Sequence, residues 1–140
     1  MLQHILVAVG FDDLSDAVID HAVAVARAMD GHCRLLHVIE TIGDDDGDED
    51  LEDFYSNLRA KAAEKMRAFA ARLEEEQVPC ETEIRVGSRW RTVIEVAEEH
   101  DVDLVVLGSR PMDPKERGAV GTTSHKVFFA SGHPLLVVRG

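Results

Sequence analysis

Cysteine is scarce in this sequence, and long apolar runs are missing. The two cysteines, Cys33 and Cys80, form no CxxC pair, so the sequence predicts neither a zinc site nor a disulfide framework. No stretch approaches the roughly 18 uninterrupted apolar residues of a membrane span. The first residues, Met-Leu-Gln-His, show no signal-peptide pattern. We therefore expect a cytoplasmic protein.

Basic residues are also scarce. Lysine and arginine total 15 against 27 aspartates and glutamates, which gives a formal net charge of -12. This charge repels phosphate backbones and anionic lipid, so we expect no nucleic-acid and no membrane partner. Lysine is especially rare, with 4 residues against 11 arginines, a balance typical of proteins kept soluble at high salt. We expect a halophilic source; a mildly acidic protein with one acidic loop is the alternative.

Common catalytic, nucleotide and metal motifs are missing as well. The sequence contains no GxxxxGK[ST], GxGxxG, GxSxG or HExxH. The histidines are scattered over different elements, so we expect no catalytic residue and no metal site. In the acidic run from Gly43 to Asp53, a calcium-loop register would place Ile42, which cannot bind a cation, at the first ligand position. We interpret residues 41–53 as an acidic mobile loop.

The apolar residues that are present alternate between strand-like and helix-like patterns. At 140 residues the chain can bury one core, so we predict a single domain spanning residues 1–140. Short unbroken apolar runs predict buried strands, and apolar residues at helical spacing predict helices. The predicted strands are 5–9, 33–39, 80–86, 104–107 and 135–138. The predicted helices are 13–30, a long one with an apolar stripe from Leu51 to Leu73 that ends by Pro79, one after Ser88, and 121–131.

This alternation predicts an α/β fold with a doubly wound five-stranded parallel sheet and helices on both faces. We predict the strand order 3-2-1-4-5. Apolar and polar residues alternate in 80–86, so this strand is expected at an edge. Ligands of such sheets bind outside the carboxyl ends of the strands, here near Gly10, residues 39–40, Gly87 and Gly108.

The segment from Gly108 to Ser124 joins the end of a predicted strand to the beginning of a helix. Free backbone N–H groups and the positive end of the helix dipole make such a junction an anion site. The hydroxyls of Thr122, Thr123 and Ser124 would add donors, which favours phosphate as the ligand. The alternative is that one of these hydroxyls caps the helix.

The same segment resembles the nucleotide loop of the universal stress protein family, in which glycine, two residues, glycine, nine residues and glycine precede serine or threonine. Gly108, Gly121 and Thr122 match that pattern at its spacing. The resemblance covers nearly the whole chain, through residues 4–10, 35–38, 103–109, 124–127 and 133–139. It implies a five-stranded parallel sheet, usually dimeric through the last strand. One branch of the family binds ATP or related adenine nucleotides, and another does not.

Two positions depart from the nucleotide-binding branch. Its members carry an aspartate at the end of the first strand, where this sequence has Gly10; Asp12 and Asp13 are displaced and are expected to cap the first helix. Pro111 replaces the second loop glycine and has no N–H to offer a phosphate. Each loss removes roughly 1 to 3 kcal/mol of binding free energy.

The resemblance implies that Val38 packs near adenine and that Arg110 lies near the phosphates. With the loop residues these form the candidate nucleotide site. Its members are Val9, Gly10, Val38, Gly108, Arg110, Gly121, Thr122, Thr123 and Ser124.

Three functions fit the sequence. The first is a stress-response regulatory protein that binds an adenine nucleotide, alone or with Mg²⁺, as a homodimer. The second is a nucleotide-free protein of the same fold that acts through its dimer surface or the acidic loop. The third is a slow ATPase, against which stands the lack of an evident general base near the loop. The candidate dimer strand consists of Leu135, Leu136, Val137 and Val138.

Overall fold

The computed structural model describes residues 1–41, 49–109 and 123–139. Strands and helices alternate along these residues, as the sequence predicts. They are β1 (His4–Ala8), α1 (Ser15–Met29), β2 (His32–Glu40), α2 (Glu49–Glu75), β3 (Cys80–Gly87), α3 (Arg89–Glu99), β4 (Leu104–Ser109), α4 (Thr123–Ala130) and β5 (Leu135–Arg139). None of the helices in these ranges has the length and apolar character needed to cross a membrane.

The five strands form one parallel sheet in the order β3-β2-β1-β4-β5. The central strand is β1, in which Ile5 pairs with Cys33 of β2 on one side and with Leu104 of β4 on the other. From β1 the chain builds outward to β3 and then returns to build β4 and β5. The winding direction therefore reverses between β1 and β4. The predicted fold and strand order are confirmed, and β3 lies at an edge.

Helices cover both faces of the sheet because the strands at its centre are apolar on both sides. On one face Ile5 belongs to a buried cluster that includes Met66 of α2 and side chains of α1. On the other face Leu6 is buried with Val93 of α3 and Val127 of α4. Burial of each large apolar side chain contributes about 1.5 to 3 kcal/mol. These two layers hold the strand ends, and any site built on them, in fixed positions.

The acidic segment after β2 is shorter as a loop than the sequence indicated. α2 begins at Glu49, so the prediction of a loop over 41–53 is wrong for residues 49–53. Residues 42–48 lie outside the described part of the chain. Acidic residues are favourable in the first turn of a helix because they face the positive end of its dipole. The acidic run therefore continues into α2.

The end of α1 depends on Gly31, though not through its own backbone angles. The left-handed residue that ends the helix is Asp30, with φ 54° and ψ 46°. A Cβ atom built on Gly31 would lie only 2.6 Å from the backbone oxygen of Gln3, immediately before β1. A side chain at this position would push the beginning of β1 away from the end of α1.

The two cysteines are neighbours in the sheet. Cys33 of β2 pairs in register with Cys80 of β3, and both are free thiols. Burial raises the pKa of the Cys33 thiol to about 12, and burial also raises the pKa of Cys80. Because the thiolate is the reactive form, both side chains behave as small apolar residues of the core at neutral pH.

Candidate functional site

A pocket of about 240 Å³ opens at the carboxyl edge of the sheet, between the ends of β1 and β4. Leu36 and Val38 of β2, the beginnings of α1 and α3, and the first residue of α4 complete its wall. The winding direction reverses here, and such reversal points are where parallel α/β sheets bind ligands. The cavity therefore lies at the edge that the strand pattern indicates.

Residues from the candidate nucleotide site meet in this pocket. Ser124 is an exception because it is buried, with 6% of its surface exposed, and does not contribute to the wall. The candidates that line the pocket are Val9, Gly10, Val38, Gly108 and Thr123. The candidates that lie outside the described residues are Arg110, Gly121 and Thr122.

Gly108 is required by the close approach of α1 to β4. A Cβ atom on Gly108 would lie 3.2 Å from Cγ2 of Val18 and 3.4 Å from Cβ and Cδ1 of Leu14. Any larger residue would have to displace these two side chains, both of which line the pocket. The glycine thus lets the beginning of α1 form one wall of the cavity.

The turn between β1 and α1 brings a carboxylate to the pocket. The N–H of Asp12 donates to Oγ of Ser15 at 3.0 Å, and Oδ1 of Asp12 accepts the N–H of Leu14 at 3.0 Å. Asp12 therefore closes the turn before α1. The N-cap residue of α1 is Leu14, which has no side-chain capping hydrogen bond, so the expectation that Asp12 caps the first helix is wrong. Its second oxygen, Oδ2, would lie 3.3 Å from a Cβ atom built on Gly10. The carboxylate thus sits over the position where Gly10 has no side chain.

Phe11 redirects the chain to make this turn possible. It has a φ of 59°, in the left-handed region that costs a non-glycine residue about 1 to 2 kcal/mol. Its ring stacks on the buried ring of His37 with centroids 3.7 Å apart and 15° between the planes. Stacking and burial of the two rings offset the cost of the left-handed backbone.

His37 ties β2 to the end of β1. Its Nδ1 lies 2.7 Å from the backbone oxygen of Val9, and because a carbonyl only accepts, Nδ1 carries the hydrogen. Burial lowers the pKa of His37 below its ordinary value of 6.5; the hydrogen bond raises the pKa, and the charges of Arg89 and Lys65 lower it further. The imidazole is therefore neutral at neutral pH and holds the strand ends together.

Arg89 supplies a positive charge at the pocket. It is the first residue of α3 and lines the cavity, with 42% of its side chain exposed. Its Nε lies 3.7 Å from Oε1 of Glu40, an exposed pair that contributes little to stability. The guanidinium therefore remains available to a ligand, and an anion is the ligand that suits it.

A family model described as the universal stress protein family matches residues 1–139. The chain belongs to the universal stress protein family. Among its curated relatives, universal stress protein YxiE of Bacillus subtilis is 26% identical over 148 residues, which covers 99% of this chain and all of that protein. Universal stress protein G of Salmonella typhimurium is 30% identical over 130 residues, covering 91% of this chain and 90% of that protein.

Solved structures of universal stress proteins share the fold of this one. The structure of UspA from Lactobacillus plantarum superposes with a TM-score of 0.81, at 26% identity, and the match covers 99% of this chain and 98% of that one. A universal stress protein in complex with cAMP gives a TM-score of 0.75 at 18% identity, covering 99% and 97%. The Archaeoglobus fulgidus protein in complex with dAMP gives 0.70 at 20% identity, covering 99% of both chains.

Two residues that line the pocket of this universal stress protein, Arg89 and Asp12, were not among the candidates from the sequence. Arg89 directly follows Gly87-Ser88, and the sequence identified Gly87 as the carboxyl end of a strand. A charged residue just after such a strand end could have been named as a candidate. Asp12 was assigned only a capping role. The position of Asp12 at the pocket depends on the left-handed backbone of Phe11. An aromatic residue in the sequence does not predict that backbone conformation.

Three histidines meet at the opposite edge of the sheet, although the sequence scatters them. The rings of His4 and His32 stack with centroids 4.4 Å apart, and the ring of His100 lies 6.2 Å from that of His4. Within residues 1–41, 49–109 and 123–139, no group of three histidine, cysteine or acidic side chains is arranged to hold a metal ion. Burial lowers the pKa of His4, and the neighbouring His32 and His100 lower it further.

Proposed function

We propose that this universal stress protein is a regulatory protein that binds an adenine nucleotide in the pocket between the ends of β1 and β4. The observation that carries the proposal is the cavity at the winding reversal, where Gly10, Val38, Gly108 and Thr123 come together. Ligands of parallel α/β sheets bind at this position. Two proteins of the same fold hold cAMP and dAMP; those ligands belong to those proteins, and they suggest the ligand class to test here.

The pocket suits the base and ribose of a nucleotide. Its volume of about 240 Å³ is below the range of about 300 to 1,000 Å³ for drug-sized ligands, so it would enclose part of a nucleotide. Val38 and Leu107 give it an apolar wall for a flat base. Oδ2 of Asp12, which lies over Gly10, is placed to accept a ribose hydroxyl. We infer that Asp12 replaces the missing carboxylate at Gly10.

The phosphates of this nucleotide would point towards α4 and α3. Thr123 is the first described residue of α4, where backbone N–H groups and the helix dipole favour an anion. Arg89 adds a guanidinium on the neighbouring wall. These two groups support phosphate binding even though Pro111 removes one backbone donor from the intervening loop.

A binding role suits the pocket better than catalysis. Among its described lining residues the only carboxylate is Asp12, and one oxygen of that carboxylate already accepts the N–H of Leu14. A hydrolase would need a base free to activate water. We therefore propose that nucleotide occupancy regulates the protein and is not consumed by it.

We also propose that the protein is a homodimer that pairs through β5. This strand lies at the end of the sheet with β4 on one side, and no described element pairs with its other side. Its Val137 is 37% exposed, and Phe128 of the adjacent α4 is 66% exposed. An apolar strand at an open edge favours pairing with another strand. If the departures at Gly10 and Pro111 abolish nucleotide binding, this surface is the second candidate for function.

Calorimetric titration with AMP, ADP and ATP, with and without Mg²⁺, tests the nucleotide proposal. We expect saturable binding to the wild type. Binding to Gly10→Leu should be at least about tenfold weaker, a loss of about 1.4 kcal/mol in binding free energy, because the leucine side chain would occupy part of the pocket. A Cβ atom at Gly10 meets only the flexible carboxylate of Asp12, so the fold should be retained.

The matched control is Gly132→Leu, because nothing lies within 4 Å of a Cβ atom at Gly132 and this residue precedes β5 at the other edge of the sheet. It should bind as the wild type does. Absence of heat up to millimolar nucleotide, or equal affinity in Gly10→Leu, would contradict the proposal.

A further inference from the structure

A second cavity, of about 290 Å³, adjoins the nucleotide pocket on the α2 side of the sheet edge. Its floor is formed by the stacked rings of Phe11 and His37 and by the end of β2. Its outer wall is a stripe along α2 at helical spacing. The stripe consists of Leu58, Lys61, Ala62 and Lys65.

The charged residues around this second cavity are mostly positive, whereas the net charge of the whole chain is negative. Three cations, Lys61, Lys65 and Arg89, face one carboxylate, Glu40. The chain has only 4 lysines and a net charge of -12, so half of its lysines line this one cavity. Self-repulsion among cations makes such a cluster unfavourable unless an anion neutralises it.

Neither lysine is neutralised by the part of the protein that the structure describes. The salt bridges among residues 1–41, 49–109 and 123–139 involve neither Lys61 nor Lys65. Nζ of Lys65 lies 5.1 Å from the ring centroid of Phe11, a contact that positions the ammonium without cancelling its charge. Both ammonium groups can therefore donate to an anionic ligand.

The two cavities adjoin at Val38 and Arg89, which line both of them. A ligand that occupies the nucleotide pocket can therefore extend over the sheet edge towards Lys61 and Lys65. The first cavity reaches the beginning of α4 at Thr123, where we propose that the first phosphate binds. Helices α4 and α2 pack on opposite faces of the sheet. A ligand that fills both cavities would carry an anionic group at each end.

The geometry points to a nucleotide with two separate phosphate-bearing positions as the ligand of this site, with the second phosphate group held by Lys61 and Lys65. This inference rests on the proposed function, since the first cavity must bind the adenine nucleotide. Adenosine 3′,5′-bisphosphate belongs to this class. The chain as a whole repels a more highly charged ligand, so any gain from the second phosphate must come from this local cluster.

The test compares the affinities of AMP and adenosine 3′,5′-bisphosphate for the full chain by calorimetry at low ionic strength. We expect the bisphosphate to bind about tenfold more tightly than AMP, the lower end of what a charge-assisted hydrogen bond contributes. In the double variant Lys61→Gln, Lys65→Gln, the affinity for the bisphosphate should fall to nearly that for AMP, while the affinity for AMP is retained.

The matched control is the double variant Arg59→Gln, Arg67→Gln, which removes two charges from exposed positions of α2 outside the cavity. It should keep the wild-type ratio of bisphosphate affinity to AMP affinity. This result would show that the loss in the lysine variant comes from the cavity and not from the change in net charge.

Equal affinities for AMP and adenosine 3′,5′-bisphosphate in the wild type would overturn the inference alone. A lysine variant that still binds the bisphosphate about tenfold more tightly than AMP would also overturn it. Failure of AMP itself to bind would overturn the proposed function, and the inference with it.

Discussion

At the scale of single residues, the site depends on one unusual turn. Phe11 adopts a left-handed backbone, and Asp12 then folds back over Gly10. The positions of Val9, Gly10 and Gly108 could be predicted because apolar runs show where buried strands end. The placement of Asp12 could not be predicted, because it depends on a dihedral angle that propensity does not assign to phenylalanine.

Replacing Asp12 tests whether it serves the nucleotide. We expect Asp12→Asn to bind AMP about tenfold more weakly than the wild type, because a charged acceptor of a ribose hydroxyl is lost. The variant Asp16→Asn removes the same charge from the first turn of α1, outside the pocket, and should bind as the wild type does. Both affinities are measured by calorimetry. Unchanged or tighter binding to Asp12→Asn would show that the carboxylate does not accept from the ligand.

At the scale of elements, the order of strands and helices could be read from the sequence, whereas some boundaries could not. Buried strands stand out as apolar runs, and right-handed crossovers restrict the order in which they pair. The apolar stripe from Leu51 placed the second helix correctly to within two residues. The loop over 41–53 was extended too far, because an acidic run suits both a solvated loop and the first turn of a helix. The alternating pattern of 80–86 correctly indicated an edge, and β5 lies at the other edge.

Introducing a charge at the β5 edge tests the proposed dimer. We expect the wild type to sediment as a dimer and Val137→Arg as a monomer, because a charged side chain on an open strand disfavours pairing. Phe54→Arg, at an apolar position of α2 that is 42% exposed, is the control and should remain dimeric. Analytical ultracentrifugation gives both masses. A monomeric wild type, or a dimeric Val137→Arg, would contradict pairing through β5.

At the scale of the whole molecule, the two edges of the sheet carry different groups of side chains. The carboxyl edge carries the two cavities. The amino edge carries the histidine group, in which the rings of His4 and His32 stack and that of His100 lies edge-on to His4. Sequence reasoning found the first edge because strand direction is uniform in a parallel sheet. It did not find the histidine group, because His4, His32 and His100 are distant in the chain and meet only once the register of β1 and β2 is known.

The histidine group predicts how stability depends on pH. Burial and the neighbouring His32, His100 and Arg34 lower the pKa of His4 below 6.5, although Asp103 raises it. The unfolded chain then binds a proton more readily than the folded protein, so the free energy of unfolding is highest above about 6.5 and falls as pH drops towards the lower folded value. The lowered pKa of His37 acts in the same direction.

Thermal unfolding followed by circular dichroism between neutral pH and about pH 5 measures this effect. The melting temperature should fall on acidification, and it should fall less in His4→Gln, which cannot be protonated. The N–H groups of His4 and Gln3 lower the pKa of Asp103. Its contribution to the free energy of unfolding is therefore lost only at more acidic pH and does not affect this comparison. Equal pH slopes for wild type and variant would contradict this explanation.

Backbone amide chemical shifts, mapped on addition of AMP, show directly where the nucleotide binds. Binding in the pocket predicts saturable shifts at the carboxyl edge and none at His4, His32 and His100 on the amino edge. The amides expected to shift are those of Val9, Gly10, Val38, Gly108 and Thr123. No shifts at saturating AMP, or shifts confined to other surfaces, would contradict nucleotide binding in this pocket.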